Sequence, residues 1–296
     1  MPRRRPGHRR ALAPAVLVGG AVACGGDPAA GAGDTGRLHT CDGVDASAAY
    51  VMRTLTFAPA PDGVGLGFDL DDHATVAGDA EGCGKADITD PDGAPGIDSA
   101  FAGLLPILEQ TEAVAAETLV QDAINSGELL LTLQLTGLDD LEEDACVTAE
   151  VGLADGDPLL GSDGQLLDGQ TLSRGDPTTW TEPIQGAVED GVLTLSPLTA
   201  TVKLRVITAD IDLTLRDGML RAEFDPETGL ATGYFGGGFS TAELADNLEG
   251  QGVDPALMDL LVNGLPLMAD LKDDAGLCTL MSVTFTFEAA PIFLMD

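Results

Sequence analysis

The sequence predicts an α+β fold: mainly antiparallel β, sandwich-like, with about three packed helices. Three observations carry this. Apolar and polar residues alternate at period two over short runs through much of the chain. Asp190-Gly191 and Asp217-Gly218 each stand between such runs, the signature of a tight hairpin turn. A few segments instead repeat apolar residues at i, i+3 and i+4, the spacing of a helix with one buried face.

The chain divides into a signal peptide over 1–23, a flexible Gly/Ala tether over 24–38, and one β-rich domain over 39–296 carrying an acidic loop over 68–98. Arg3, Arg4, Arg5, Arg9 and Arg10 form a basic start, followed by an apolar run from Ala11 to Ala23. That run is too short to span the ~30 Å core of a bilayer as a helix, and its flanks suit a signal peptide. Its end, Ala21-Val22-Ala23-Cys24, resembles the lipobox of bacterial lipoproteins, which implies a lipid on Cys24 after cleavage. Ala21 stands where that motif usually has leucine, and ordinary cleavage after Ala23 is the alternative. The expected location is the bacterial envelope, on the outer membrane, with the lipid as the membrane contact.

Of five cysteines, a lipidated Cys24 leaves Cys41, Cys83, Cys146 and Cys278, an even set that an oxidising compartment would pair. Two disulfides are expected, with the connectivity open. Without the signal segment the chain has nine basic against 49 acidic residues, a net charge of −40. Such a surface repels nucleic acid and anionic headgroups. Yet 44% of residues are hydrophobic, which places the charge on the skin of a globular domain and not on a disordered tail.

Within the domain, strands are expected at Ala49 to Phe57 and Val64 to Phe68. A helix follows over Ser99 to Ile124, kinked at Pro106 and stopped at Asn125-Ser126-Gly127. Leu129 to Leu135 and Cys146 to Leu153 read as strands, and Asp155 to Asp176 as loops. From Ala187 to Phe239 the pattern is strongly β, with a shift of apolar phase near Val206-Ile207 that predicts a bulge or bend. Ser240 with Glu243 forms a capping box for one helix, and Asp254-Pro255 starts another. Leu257, Leu260, Leu261, Leu265 and Met268 form the stripe of that last helix. Met281 to Glu288 closes the chain as a strand.

The richest chemistry lies in Phe68 to Asp98, which holds nine carboxylates, seven glycines and prolines, and Cys83. Turn-rich Asp/Gly segments present carboxylates and backbone carbonyls at close range, the oxygen ligands that calcium takes. Asp69, Asp71, Asp87, Asp90, Asp92 and Asp98 are the candidate ligands. No complete EF-hand frame fits: counted from Asp69, Ala74 replaces the glycine and Ala80 the closing glutamate. The other reading is a solvated acidic loop pinned by a disulfide through Cys83.

The segments GFDLDD, AEGCGKADITDPDGAPGIDSAF and CTLMSVTFTFEAAP are similar to stretches of secreted lipoproteins from high-GC Gram-negative bacteria. That resemblance covers about a quarter of the chain and implies export and lipidation, with no catalytic residue. GxSxG, HExxH and SxxK are absent. Gly233 to Ser240 lacks the P-loop Lys-Ser/Thr and reads as a glycine-bent strand end. After signal removal only His39 and His73 could serve a triad. A non-enzymatic surface or binding module is therefore the expectation, with a carboxylate-based envelope hydrolase or a carrier of an apolar ligand as alternatives.

Overall fold

The computed structural model describes residues 47–108, 116–206, 209–253 and 255–296. The signal peptide, the tether, Cys24, Cys41 and His39 lie outside the described residues. Among the described residues twelve strands form: β1 (Ser47–Phe57), β2 (Ile88–Thr89), β3 (Pro95–Ile97), β4 (Leu130–Thr136), β5 (Asp144–Asp155), β6 (Thr171–Arg174), β7 (Ile184–Glu189), β8 (Val192–Val206), β9 (Ala209–Phe224), β10 (Ala231–Ser240), β11 (Leu271–Lys272) and β12 (Cys278–Met295). The helical segments are α1 (Leu105–Leu108), α2 (Ala116–Ser126), α3 (Thr241–Leu248) and α4 (Pro255–Asp259).

The sandwich expectation is corrected. Eight strands run β1-β4-β5-β7-β8-β9-β10-β12, each antiparallel to the next, and β12 pairs back with β1 to close a barrel. Alternation alone does not separate the two architectures, because both put every second residue in a core. Closure comes from Ala49↔Ile292 through Phe57↔Phe285, a pairing between the two ends of the domain. The helices are short, the longest described one being α2 at 11 residues.

The inward face is packed. Phe57, Phe235 and Phe285 lie in register on β1, β10 and β12, with ring centroids 4.9 Å apart for Phe57–Phe285 and 5.3 Å for Phe235–Phe285. Leu133, Leu135, Leu193, Leu195 and Leu215 are buried on the other walls. An eight-stranded barrel has an interior just wide enough for side chains to fill, and burying each Leu or Phe contributes about 1.5–3 kcal/mol. Helix α2 packs against both β1 and β8, which stand opposite each other in the ring. It therefore lies across the barrel, with Val120, Ala123 and Ile124 turned into the core.

Several local expectations meet the structure directly. Asp190-Gly191 is a hairpin turn between β7 and β8, with φ of 51° and 77°. Asp217-Gly218 is not: it lies inside β9 as a bulge, with Asp217 at φ 49°. The odd spacing from Leu215 to Leu220 would put them on opposite faces of a regular strand, and the bulge returns both inward. Gly218 packs so close to β10 that a Cβ would stand 2.3 Å from Gly236 O. Residues 207–208, part of the expected bulge or bend, lie outside the described residues, and Val206 pairs with Ala209 on either side of them.

Val64 to Phe68 is not a strand; it makes only the isolated bridges Val64↔Thr89 and Phe68↔Asp98. The helix expected over Ser99 to Ile124 is broken into a 3-10 turn at Ala100–Gly103, α1 and α2, with residues 109–115 outside the described ones. Ser240 caps α3 by accepting from Glu243 N (3.2 Å), while the Glu243 side chain turns to Arg216 and does not complete the box. The last helix tightens and loosens after α4, through a π turn at Leu260–Gly264 and a 3-10 turn at Leu265–Met268. Leu261 and Leu265 of its stripe are buried.

Candidate metal centre

The acidic loop folds against the outer wall of the barrel, over β10 and β12. Outward-facing positions on those strands are buried beneath it: Ser282 and Thr284 on β12 are closed off from solvent, and Phe68 packs on Tyr234 with centroids 4.8 Å apart. Three ties hold the loop there. Cys83 is bonded to Cys278 at the start of β12, a link across 195 residues with Cα atoms 5.7 Å apart. Lys272 pairs with Glu81 (2.6 Å), and Lys85 Nζ donates to Leu267 O. Cys146 is disulfide-bonded as well.

Inside the loop the chain brings together three of the six predicted ligands. Phe68 and Asp98 pair as a bridge, Asp98 N donating to Phe68 O (2.9 Å) and Leu70 N to Asp98 Oδ2 (2.7 Å). One oxygen each from Asp69, Asp71 and Asp98 then lie within 4.8 Å of one another. His73 N donates to both Asp69 Oδ1 (3.0 Å) and Asp71 Oδ1 (2.9 Å), which fixes their spacing. Gly96, at φ +94°, lets the backbone pass beneath: a Cβ there would stand 3.2 Å from Asp69 Oδ2.

The other three predicted residues serve the loop itself. Both oxygens of Asp87 bind Thr75, one from its backbone N–H and one from its hydroxyl (2.7 Å). Asp90 Oδ1 accepts from Asp92 N (2.8 Å) and Ala94 N (3.0 Å), shaping the turn between β2 and β3. Asp92 is exposed at the tip of that turn.

Asp98 carries the unusual chemistry. It is 1% exposed, and its Oδ1 has no hydrogen-bond partner among the described residues. Burial, followed by the carboxylates of Asp71, Asp270 and Asp87, pushes its carboxyl up to about 8 against the bond from Leu70 N. Burial also raises Asp71, with Asp87 and Asp69 adding to it and His73 N opposing. A buried oxygen without a donor costs about 1–3 kcal/mol. Converging carboxylates with such an oxygen need a cation or a proton, and their donor set fits a hard divalent ion.

Sequence reading missed Asp270, 172 positions after Asp98 and 4% exposed. It follows a 3-10 turn in an unremarkable Ala-Asp-Leu context that carries no signal. Burial pushes its carboxyl up to about 6, with hydrogen bonds from Ser282 pulling it back. Ser282 N donates to Asp270 Oδ1 (2.8 Å) and Ser282 Oγ to Oδ2, while Ala100 N donates to Ser282 Oγ (2.7 Å). This chain of bonds fastens the exit of the acidic loop to the barrel wall. A cavity of about 270 Å³ opens beside Asp71, bounded by His73, Glu81, Arg216, Asp217 and Lys272 over Leu271 and Leu280.

Fold and site together define a class: a closed antiparallel barrel with a packed interior, bearing a disulfide-fastened carboxylate cluster on its outer wall. Compared with protein-family models, curated proteins and solved structures, the chain matches none.

Proposed function

We propose that this is an exported, lipid-anchored surface protein of the bacterial envelope, held to the outer membrane through Cys24. On this reading it acts as a non-enzymatic binding or structural module whose acidic face is stabilised by calcium. The observation that carries the calcium reading is Asp98, with a buried, unpartnered oxygen beside Asp69 and Asp71. Three carboxylates supply part of the six to eight oxygens calcium takes, and backbone carbonyls or water complete the shell. Anchorage is supported by the lipobox-like Ala21-Val22-Ala23-Cys24 and by disulfide bonding.

Two features favour a module over the alternatives. Asp98 and Asp270 have the raised carboxyls an acid–base pair needs, but both are closed under the loop, and neither lines the cavity beside Asp71. The leucines that would surround an apolar cargo are packed against one another inside the barrel. A thermal melt of the exported chain tests the calcium reading, first in EDTA and then with calcium or magnesium restored. A ligand bound only by the folded state raises Tm with its concentration. The expected result is a calcium-selective rise; equal, small shifts with both ions would reduce the effect to charge screening.

A further inference from the structure

We propose that Leu159, Leu160, Leu167, Phe293 and Met295 form a seat that rests the domain on the zwitterionic lipid surface of its anchoring membrane. Their exposures are 60%, 43%, 41%, 67% and 55%, large for apolar side chains that share one region. Gln170, itself buried, ties together Leu159, Leu167 and Phe293. Its Oε1 accepts from Leu159 N (2.8 Å), its Nε2 donates to Leu167 O (2.7 Å), and its backbone O accepts from Phe293 N (2.9 Å). Met295 follows Phe293 along β12, paired with Ser173 of β6. Leu167 N also donates to Leu159 O (2.9 Å), and Leu160 bridges to Leu166. The patch is thus a built surface, fixed by a buried amide, and not a set of scattered side chains.

Its position selects the occupant. Ala49 pairs with Ile292, so the first described residues of β1 leave the barrel beside Phe293. Between Cys24 and Ser47 stand 22 residues, a length of chain that reaches at most about 80 Å when fully extended. An anchor at Cys24 therefore keeps this patch within that reach of the bilayer, which raises its effective concentration there. Charge opposes two competing occupants: two copies at −40 each repel, and so do anionic headgroups. Asp157, Asp163, Asp168 and Asp296, close to the patch in sequence, are exposed, and zwitterionic headgroups tolerate such charges. The inference rests on the anchored reading above.

The test uses the full chain purified from membranes and reconstituted into phosphatidylcholine vesicles, with the mass of its N-terminal peptide reporting lipid on Cys24. The native Trp180 is buried and bonded to Leu153 O (3.1 Å), which gives a constant background. In a Phe293→Trp variant, lipid brominated along its acyl chains should at least halve the added emission relative to plain lipid. Leu159→Ser with Leu167→Ser should restore it, with the circular dichroism spectrum unchanged. Lipidated protein whose added emission is unquenched would overturn the seat while leaving the anchor standing. If Cys24 carries no lipid, the anchor fails, and the same vesicles are added to the free chain: quenching then upholds the surface and its absence overturns it. A dimer in sedimentation that the double substitution dissolves, without quenching, would assign the patch to a second copy and overturn the proposal.

Discussion

Replacing Asp98 with asparagine separates a cation site from an ordinary buried carboxylate. The folded-state carboxyl is raised to about 8 from an ordinary value of 3.8. A raised acid contributes stability that is fully present below pH 4 and is lost as pH climbs toward 8. At pH 7, without a cation, this amounts to a burden of about 4 kcal/mol on the native chain. The Asp98→Asn amide keeps an acceptor for Leu70 N and removes the charge. An amide N–H left short of an acceptor costs about 1–3 kcal/mol, so the net gain is about 1–3 kcal/mol. For a domain of this size that is a rise in Tm of roughly 2–10 °C. Measured in EDTA at pH 7, the variant should therefore melt above the native chain. In saturating calcium the order should reverse, since only the native carboxylate gains from the ion. A variant less stable than the native chain in EDTA, or one that keeps its full calcium response, would show that Asp98 holds no cation.

Four further outcomes follow from the same geometry. Cys83→Ser with Cys278→Ser opens a loop of 195 residues, worth about 5 kcal/mol by chain entropy, and should lower both Tm and calcium affinity. A melt of comparable height in the double variant would mean that the loop is held by its packing alone. Gly96→Ala forces a Cβ into a backbone at φ +94° and against Asp69 Oδ2; denaturant unfolding should show a loss of about 1–3 kcal/mol and a weakened calcium response. Ser282→Ala takes the acceptor from Ala100 N and a donor from Asp270, costing about 1–3 kcal/mol. Because Asp270 is raised to about 6, its own contribution to stability declines from pH 4 to pH 7, and Asp270→Asn should flatten the stability–pH curve across that window.

The local elements were largely legible. Period-two alternation marked β1, β4 and β5, and Asp190-Gly191 marked its hairpin, because the signals for these lie within a few residues. Barrel closure was not, since it depends on β1 meeting β12 across the whole domain. Asp217-Gly218 misled for a physical reason: the same left-handed conformation that makes a tight turn also makes a bulge. Which one forms depends on the partners, and here β8 and β10 flank β9 on both sides of the kink. The acidic loop announced itself by its density of carboxylates. Which three of nine converge was hidden, because it rests on the Phe68↔Asp98 bridge and the backbone turn at Gly96. Asp270 was hidden altogether, made distinctive only by the wall that buries it.

Calorimetric titration of calcium into the EDTA-stripped chain, beside the Asp98→Asn variant, distinguishes a cation site from an acidic surface. The native chain should show one saturable calcium site, lost in the variant and weakened when Asp69 or Asp71 is replaced by Asn. Weak, unsaturable uptake that is the same in all of these proteins would contradict it and leave the loop a solvated acidic surface.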